Sequence, residues 1–388
     1  MRNFTYQAST KILFGKNRII EVGQEILPYG NKILLAYGGG SIKKSGVYEK
    51  LVSILQASQI EFVELAGIQP NPRIESVREG IRLCREHQIE FILGVGGGSV
   101  IDCIKAISLG VNYDGDAWNF YERKASVGTV LPIGTILTLA ATGSEMNGNT
   151  VISNEATQEK RATGHDSLRP KFSILDPTYT FTVNKWQTAA GVVDVMSHIF
   201  EQYFTLDNGT LLQDTLAEGI LKTCIYYGPV LLKDPENYEA RANIMWASSL
   251  ALNGLTITGK VAGDWATHAI EHEVSAIYDL THGAGLAIIF PVWMQYVLNE
   301  KTAQKLAQFA RNVWDIKTKD NQEAAREGIA KTRDFFVSLS MPASLKDVNI
   351  PGDRIEDMAE GACKFGPVGM FKKLEKKDVS NILNKALI

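Results

Sequence analysis

Two pairs of side chains, each one helical turn apart, carry most of the chemical potential of this chain. Asp194 and His198 in GVVDVMSHIFEQYF stand at i and i+4, which puts both on one helix face. His268 and His272 in DWATHAIEHEV repeat the spacing, and His282 follows in DLTHGAGLA where a further helix should begin. One carboxylate with three imidazoles is a reasonable donor set for a borderline divalent metal, with a position left for a substrate oxygen. The spacing does not say which three of the four histidines serve. The other two of the six, His87 in CREHQIE and His165 in ATGHDS, lie among polar residues and should be solvated.

A second kind of chemistry is written in glycine. FILGVGGGSVIDCIK reads as a strand that ends in glycines and passes directly into a helix. Backbone without Cβ atoms can pass close to a bulky anion, and the free amides and positive dipole end of a new helix favour phosphate. Gly96, Gly97, Gly98 and Ser99 would form that cradle. Asp102 follows in the first turn, where it would repel a phosphate, so a ribose or amide contact suits it better. LTLAATGSEMNGNT adds a loop rich in hydroxyls and amides, in which Thr138, Thr142, Ser144 and Asn147 could bond a dinucleotide.

An earlier stretch, LLAYGGGSIKK, repeats the glycine pattern after its own strand. NAD-specific dinucleotide folds place an acidic residue at such a strand end to bond the ribose 2′-hydroxyl. Here Gly38, Gly39, Gly40 and Ser41 are followed by Lys43 and Lys44, with no carboxylate until Glu49. Glycine leaves room for a 2′-phosphate, Ser41 can donate to it and a lysine can balance its charge. The expectation is NADP(H) preferred, with NAD(H) as the alternative.

These residues need elements to position them. Over the first 180 residues, apolar runs that read as strands (KILLAY, FILGV, TVLPIG, FSILD) alternate with amphipathic stretches that read as helices (YEKLVSILQAS, RIESVREGIRLCREHQ). Such alternation predicts a parallel sheet covered by helices. From about Thr182 long helical patterns take over, and Pro177 sits at the change. The expected organisation is α/β: a Rossmann-like dinucleotide-binding domain over 1–181, then an all-helical domain for metal and substrate over 182–388.

Composition narrows the class. The 388 residues are 45% apolar and carry a net charge of 40 − 43 = −3 with no long run of one sign, which gives nucleic acid or a membrane surface little to hold. The N-terminal MRNFTYQASTKILFGKN lacks the apolar core of a signal peptide, and no apolar stretch reaches the ~18 residues of a membrane span. Four widely spaced cysteines without a CxxC pair read as reduced core residues of a cytoplasmic protein.

In their order along the chain, FGKN, GIQPNPRIESVREG, GVGGGSVID, TGSE, LDP, GVVDVMSHIFEQYF and DWATHAIEHEVSAIYDLTHGAGLA resemble the iron-containing (group III) alcohol dehydrogenase family, essentially end to end. AYGGGSIKKSGV and DWATH are similar to its branch of butanol dehydrogenases and NADPH-dependent aldehyde reductases. The resemblance implies a dehydroquinate synthase-like fold with the active site between its domains. It implies Fe²⁺ (or Zn²⁺) held by Asp194, His198, His268 and His282, with His272 a non-ligating histidine near the nicotinamide. It also implies dinucleotide contacts at Asn71, the Gly96–Asp102 loop, Thr138, Asn147 and Lys160, less securely Tyr179, and a homodimer. The reaction implied is hydride transfer between NAD(P)H and short-to-medium-chain aldehydes or primary alcohols. A metal-dependent lyase on the same fold, or a non-catalytic nucleotide-binding protein, are the alternatives. The lyase would need extra basic residues for a phosphorylated acid, and the segments around His268 and His282 carry few.

Overall fold

A computed structural model describes all residues, 1–388. The chain divides into two compact units, one of residues 7–183 and 235–249, the other of residues 1–6, 184–234 and 250–388. Two short segments therefore depart from a division by chain order alone. Residues 1–6 join the helical unit, where Arg2 N donates to Gly259 O at 2.8 Å. Residues 235–249 join the sheet unit, where Met245 packs with Ile101 and Leu137.

The sheet unit is built on six parallel strands: β1 Lys11–Phe14, β2 Lys32–Tyr37, β3 Glu61–Leu65, β4 Phe91–Gly96, β5 Ile133–Leu137 and, after the separate β6–β7 hairpin (Asn149–Asn154 and Glu159–Gly164), β8 Phe172–Leu175. Their order across the sheet is β1-β8-β5-β4-β2-β3. Both faces are covered, which is why β4 reads as an unbroken apolar run. Ile33, Leu35, Tyr37, Phe91 and Leu93 belong to one core, and Leu34, Ala36 and Ile92 to the other. Fully burying each aliphatic side chain contributes about 1.5–3 kcal/mol.

KILLAY and FSIL form strands where the sequence places them. TVLPIG does not: only its last two residues enter β5, which starts at Ile133. Pro132 has no N–H to offer a central ladder, and its carbonyl instead accepts from Ile92 N at the strand entrance. The helical unit is built of long helices, among them Lys185–Tyr203, Leu211–Lys233, Ala266–Tyr278 and His282–Val297. No helix is long and apolar enough to cross a membrane. All four cysteines are free, three of them buried.

Candidate metal centre and dinucleotide loops

The connections leaving β2 and β4 run in opposite directions across the sheet, so these neighbours form its topological switch point, where such sheets bind ligands. Tyr37 pairs with Val95, which sets the two glycine triplets side by side at the carboxyl ends of adjacent strands. The helix Gly98–Gly110 begins at the second of them with Gly97 as an extended N-cap and no side chain capping it. A Cβ on Gly98 would lie 2.4 Å from Thr142 Oγ1, so only glycine lets the 138–147 loop close over the helix start. Uncapped amides at the switch point fit a dinucleotide phosphate.

Much of the polar chemistry expected to face the dinucleotide also holds the loop together. Asp102 accepts from Ser144 Oγ at 2.6 Å with one oxygen and from Val151 N at 2.9 Å with the other. Asn147 donates to Gly143 O and accepts from Asn149 N. Beneath them lies Lys105, wholly buried and missed by sequence reasoning. Its Nζ donates to Ser144 O and Oγ at 2.7 Å, to Asn149 O at 2.8 Å and to Asn147 Oδ1 at 3.1 Å. Burial lowers its ammonium to about pKa 8 against the opposing charges of Asp102 and Glu145. Thr138 N bonds Gly96 O at 3.0 Å, so it stands beside the cradle. Lys160 is buried, Asn71 is half-buried with a left-handed φ of 50°, and the buried Tyr179 hydroxyl has no partner within the chain.

In the helical unit the expected donors converge from three helices. Asp194 and His198 lie a turn apart on Lys185–Tyr203, His268 and His272 on Ala266–Tyr278, and His282 is the first residue of His282–Val297. One donor atom each from Asp194, His268 and His282 lie within 4.8 Å of one another, and His282 Nε2 is 3.6 Å from Asp194 Oδ1. His198 contributes no atom to that trio. Its Nδ1 stands 3.6 Å from Asp194 Oδ1, and its ring stacks on His268 with centroids 4.9 Å apart. Burial, opposed only in part by Asp194, takes His198 down to about pKa 3, which keeps the imidazole neutral. His87 and His165 are exposed, as their polar neighbourhoods predict.

This convergence needs close backbone contact. A Cβ on Gly283 would sit 2.1 Å from Ala190 O, and one on Gly285 would sit 2.7 Å from the Glu271 side chain. The two glycines let the helix carrying His282 rest directly on its neighbours.

Two carboxylates that the sequence reading passed over orient the imidazoles. Glu201 Oε1 lies 2.8 Å from His268 Nδ1 and also accepts from His268 N and the Thr267 hydroxyl; its Oε2 accepts from Trp265 N at 2.7 Å. Glu271 bonds His282 Nδ1 and the Ser275 hydroxyl. A carboxylate at Nδ1 makes that nitrogen the donor and leaves Nε2 free to coordinate. Helical spacing carries no signal for these pairs, since each carboxylate meets an imidazole on another helix, 67 residues away for Glu201 and His268 and 11 for Glu271 and His282.

Asp194 Oδ1, His198 Nδ1 and His268 Nε2 are buried and have no hydrogen-bond partner. Buried polar atoms are rarely left so, and these belong to neighbouring side chains of types that bind divalent cations, which fits a metal.

A buried aspartate–histidine cluster and a glycine-lined helix start at a sheet's switch point, in one chain, fit the class of metal-dependent, nicotinamide-dependent dehydrogenases. The chain belongs to the iron-containing alcohol dehydrogenase family: residues 9–177 match the model of iron-containing alcohol dehydrogenases and residues 188–387 that of the C-terminal region of the Fe-containing alcohol dehydrogenase family. It is 51% identical over 389 residues to NADH-dependent butanol dehydrogenase A of Clostridium acetobutylicum, covering 100% of both chains. It is 40% identical to the NADPH-dependent aldehyde reductase YqhD of Escherichia coli, over 98% of this chain and 97% of that one. The crystal structure of NADH-dependent butanol dehydrogenase A from Thermotoga maritima superposes with a TM-score of 0.97 at 41% identity, covering 100% of this chain and 99% of the other. The protein is thus an NAD(P)-dependent oxidoreductase of alcohols and aldehydes that works with a metal and a nicotinamide cofactor.

Proposed function

We propose that the chain interconverts short-to-medium-chain aldehydes and primary alcohols such as butanol, with reduction favoured at neutral pH. The observation that supports this most is the meeting of one donor atom each from Asp194, His268 and His282, those of Asp194 and His268 being buried and without a hydrogen-bond partner. The names of the Clostridium, Thermotoga and Escherichia relatives supply the substrate class. Asp194, His198, His268 and His282 are the proposed ligands, with Fe²⁺ preferred to Zn²⁺ on the family's description and a donor set that suits both.

Bound there, a divalent ion supplies Lewis acidity to a carbonyl or alcohol oxygen, and the nicotinamide supplies or takes the hydride. Asp194 contributes the only formal charge among the four proposed ligands, while Glu201 and Glu271 hold two of the imidazoles in one tautomer. His272, with its ring 5.6 Å from that of His282 and 6.4 Å from that of His268, is the proposed proton carrier for the substrate oxygen. Reduction consumes a proton and oxidation releases one, so neutral pH favours the aldehyde-reducing direction.

For the dinucleotide, Gly96, Gly97, Gly98 and Ser99 would cradle the pyrophosphate and Gly38, Gly39 and Ser41 would face the adenosine ribose. Asn71, Asp102, Thr138, Thr142, Asn147, Lys160 and Tyr179 complete the proposed set. The expectation of NADP(H) rested on the room left by glycine, on Ser41 as a donor and on a loop lysine with no carboxylate before Glu49. Lys43 in fact has Glu64 as a neighbour, 3.9 Å away. Relatives 48–51% identical are named NADH-dependent, whereas the NADPH-dependent aldehyde reductase is 40% identical. Our reading is that NAD(H) is preferred and NADP(H) also accepted. A cytoplasmic homodimer is part of the proposal. The direct test is butyraldehyde reduction with NADH and with NADPH after anaerobic Fe²⁺ reconstitution; no turnover with either would overturn the proposal.

A further inference from the structure

Glu64 comes from β3, across the sheet from the loop in which the sequence shows no carboxylate. Its partner in register is Leu35, two residues before the end of β2, so it lies close to where Gly38 begins the loop. The carboxylate is held at both oxygens: the Tyr37 hydroxyl donates to Oε2 and the Tyr48 hydroxyl to Oε1. Lys43 Nζ stands 3.9 Å from Oε2, 4.4 Å over the Tyr48 ring and 5.2 Å from the centre of the Tyr37 ring. The two tyrosines thus fix an anion beside the one loop lysine for which the structure gives an ion pair. Burial pushes the Glu64 carboxyl up, but the tyrosine hydrogen bonds and Lys43 outweigh it, so it stays charged at neutral pH.

We propose that Glu64 sets the choice between NAD(H) and NADP(H) by balancing Lys43. This inference rests on the reading that Gly38–Lys44 meets the adenosine ribose. Space is not the discriminator, because a Cβ on Gly39 or Gly40 would touch nothing within 4 Å. Charge is. A free ammonium on this loop would reward a 2′-phosphate, whereas an ammonium paired with a fixed carboxylate leaves the loop close to neutral, and the carboxylate repels a dianion nearby. The same cluster leaves NAD(H), which carries no charge at its 2′-position, almost unaffected.

The test is steady-state kcat/KM for NADH and NADPH with butyraldehyde, in wild type and in Glu64→Gln, Lys43→Met and Gly39→Asp. Glutamine is nearly isosteric with glutamate and its side-chain carbonyl can still accept from a tyrosine, so Glu64→Gln changes mainly the charge. The NADPH/NADH ratio should rise about tenfold or more in Glu64→Gln and fall about tenfold in Lys43→Met, the scale of one charge-assisted hydrogen bond. If Gly39→Asp shifts the ratio toward NADH but Glu64→Gln leaves it unchanged, the loop reads the ribose and the role given to Glu64 is wrong. Equal losses with both cofactors in Glu64→Gln would assign it to packing and equally overturn the proposal. If Gly39→Asp also leaves the ratio unchanged, the reading of the loop itself fails.

Discussion

Glu201 lies 67 residues before His268 in the chain, yet its carboxylate stands 2.8 Å from that imidazole's Nδ1 and also accepts from the Trp265 and His268 amides. One side chain from a neighbouring helix thereby fixes both the start of the helix Ala266–Tyr278 and the ring that helix presents. Trp265, at the joint, is left-handed with φ 62°, a conformation an indole-bearing residue adopts only where its surroundings impose it. Replacing Glu201 by Gln should keep the fold but weaken metal binding about 10–100-fold, as loss of a partner behind a ligand does. Competition with a chelator measures it; an unchanged dissociation constant would mean that Glu201 serves packing alone.

The histidines should separate by role. His268→Ala and His282→Ala should lower bound metal and abolish turnover together. His272→Ala should retain the metal and lose mainly rate. Metal analysis of the three purified variants decides this, and an emptied site in His272→Ala beside a filled one in His268→Ala would reverse the assignment.

Gly283→Ala tests the contact that brings His282 in. The added methyl would meet Ala190 O at 2.1 Å, and backbone cannot yield as a flexible side chain does. A stability loss of about 1–3 kcal/mol by urea unfolding is expected, together with weaker metal binding because His282 moves from Asp194. Wild-type values for both would show that the two helices have slack.

How much of this was legible in the sequence depends on the range of the contact. Asp194, His198, His268 and His272 stand out because helical spacing is a local rule, whereas Glu201 and Glu271 do not, because each meets its imidazole on another helix. The strands KILLAY and FILGV were legible from their apolar runs. Glu64 was not, because it reaches Lys43 through the pairing of β2 with β3, and register is not a local property of either stretch. Nor was the exchange of segments 1–6 and 235–249 between the units, which rests on packing such as that of Met245 on Ile101.

Lys105→Met should act on the dinucleotide loop without touching the metal. The acceptors around this ammonium lose a shared donor, and a buried acceptor left unpaired costs about 1–3 kcal/mol. The expected result is a KM for the nicotinamide cofactor raised about tenfold or more, with bound metal unchanged. An unaltered KM would separate the 144–149 loop from cofactor binding.

Metal-dependent hydride transfer at the Asp194–His282 centre requires that bound metal and turnover rise together. The most direct measurement is titration of chelator-stripped protein with Fe²⁺ under anaerobic conditions, following NADH oxidation by butyraldehyde and bound iron together. Activity should be absent in the stripped protein and rise in proportion to iron until about one ion is bound per chain, and His282→Ala should neither bind nor respond. Full turnover by the stripped protein would contradict the account.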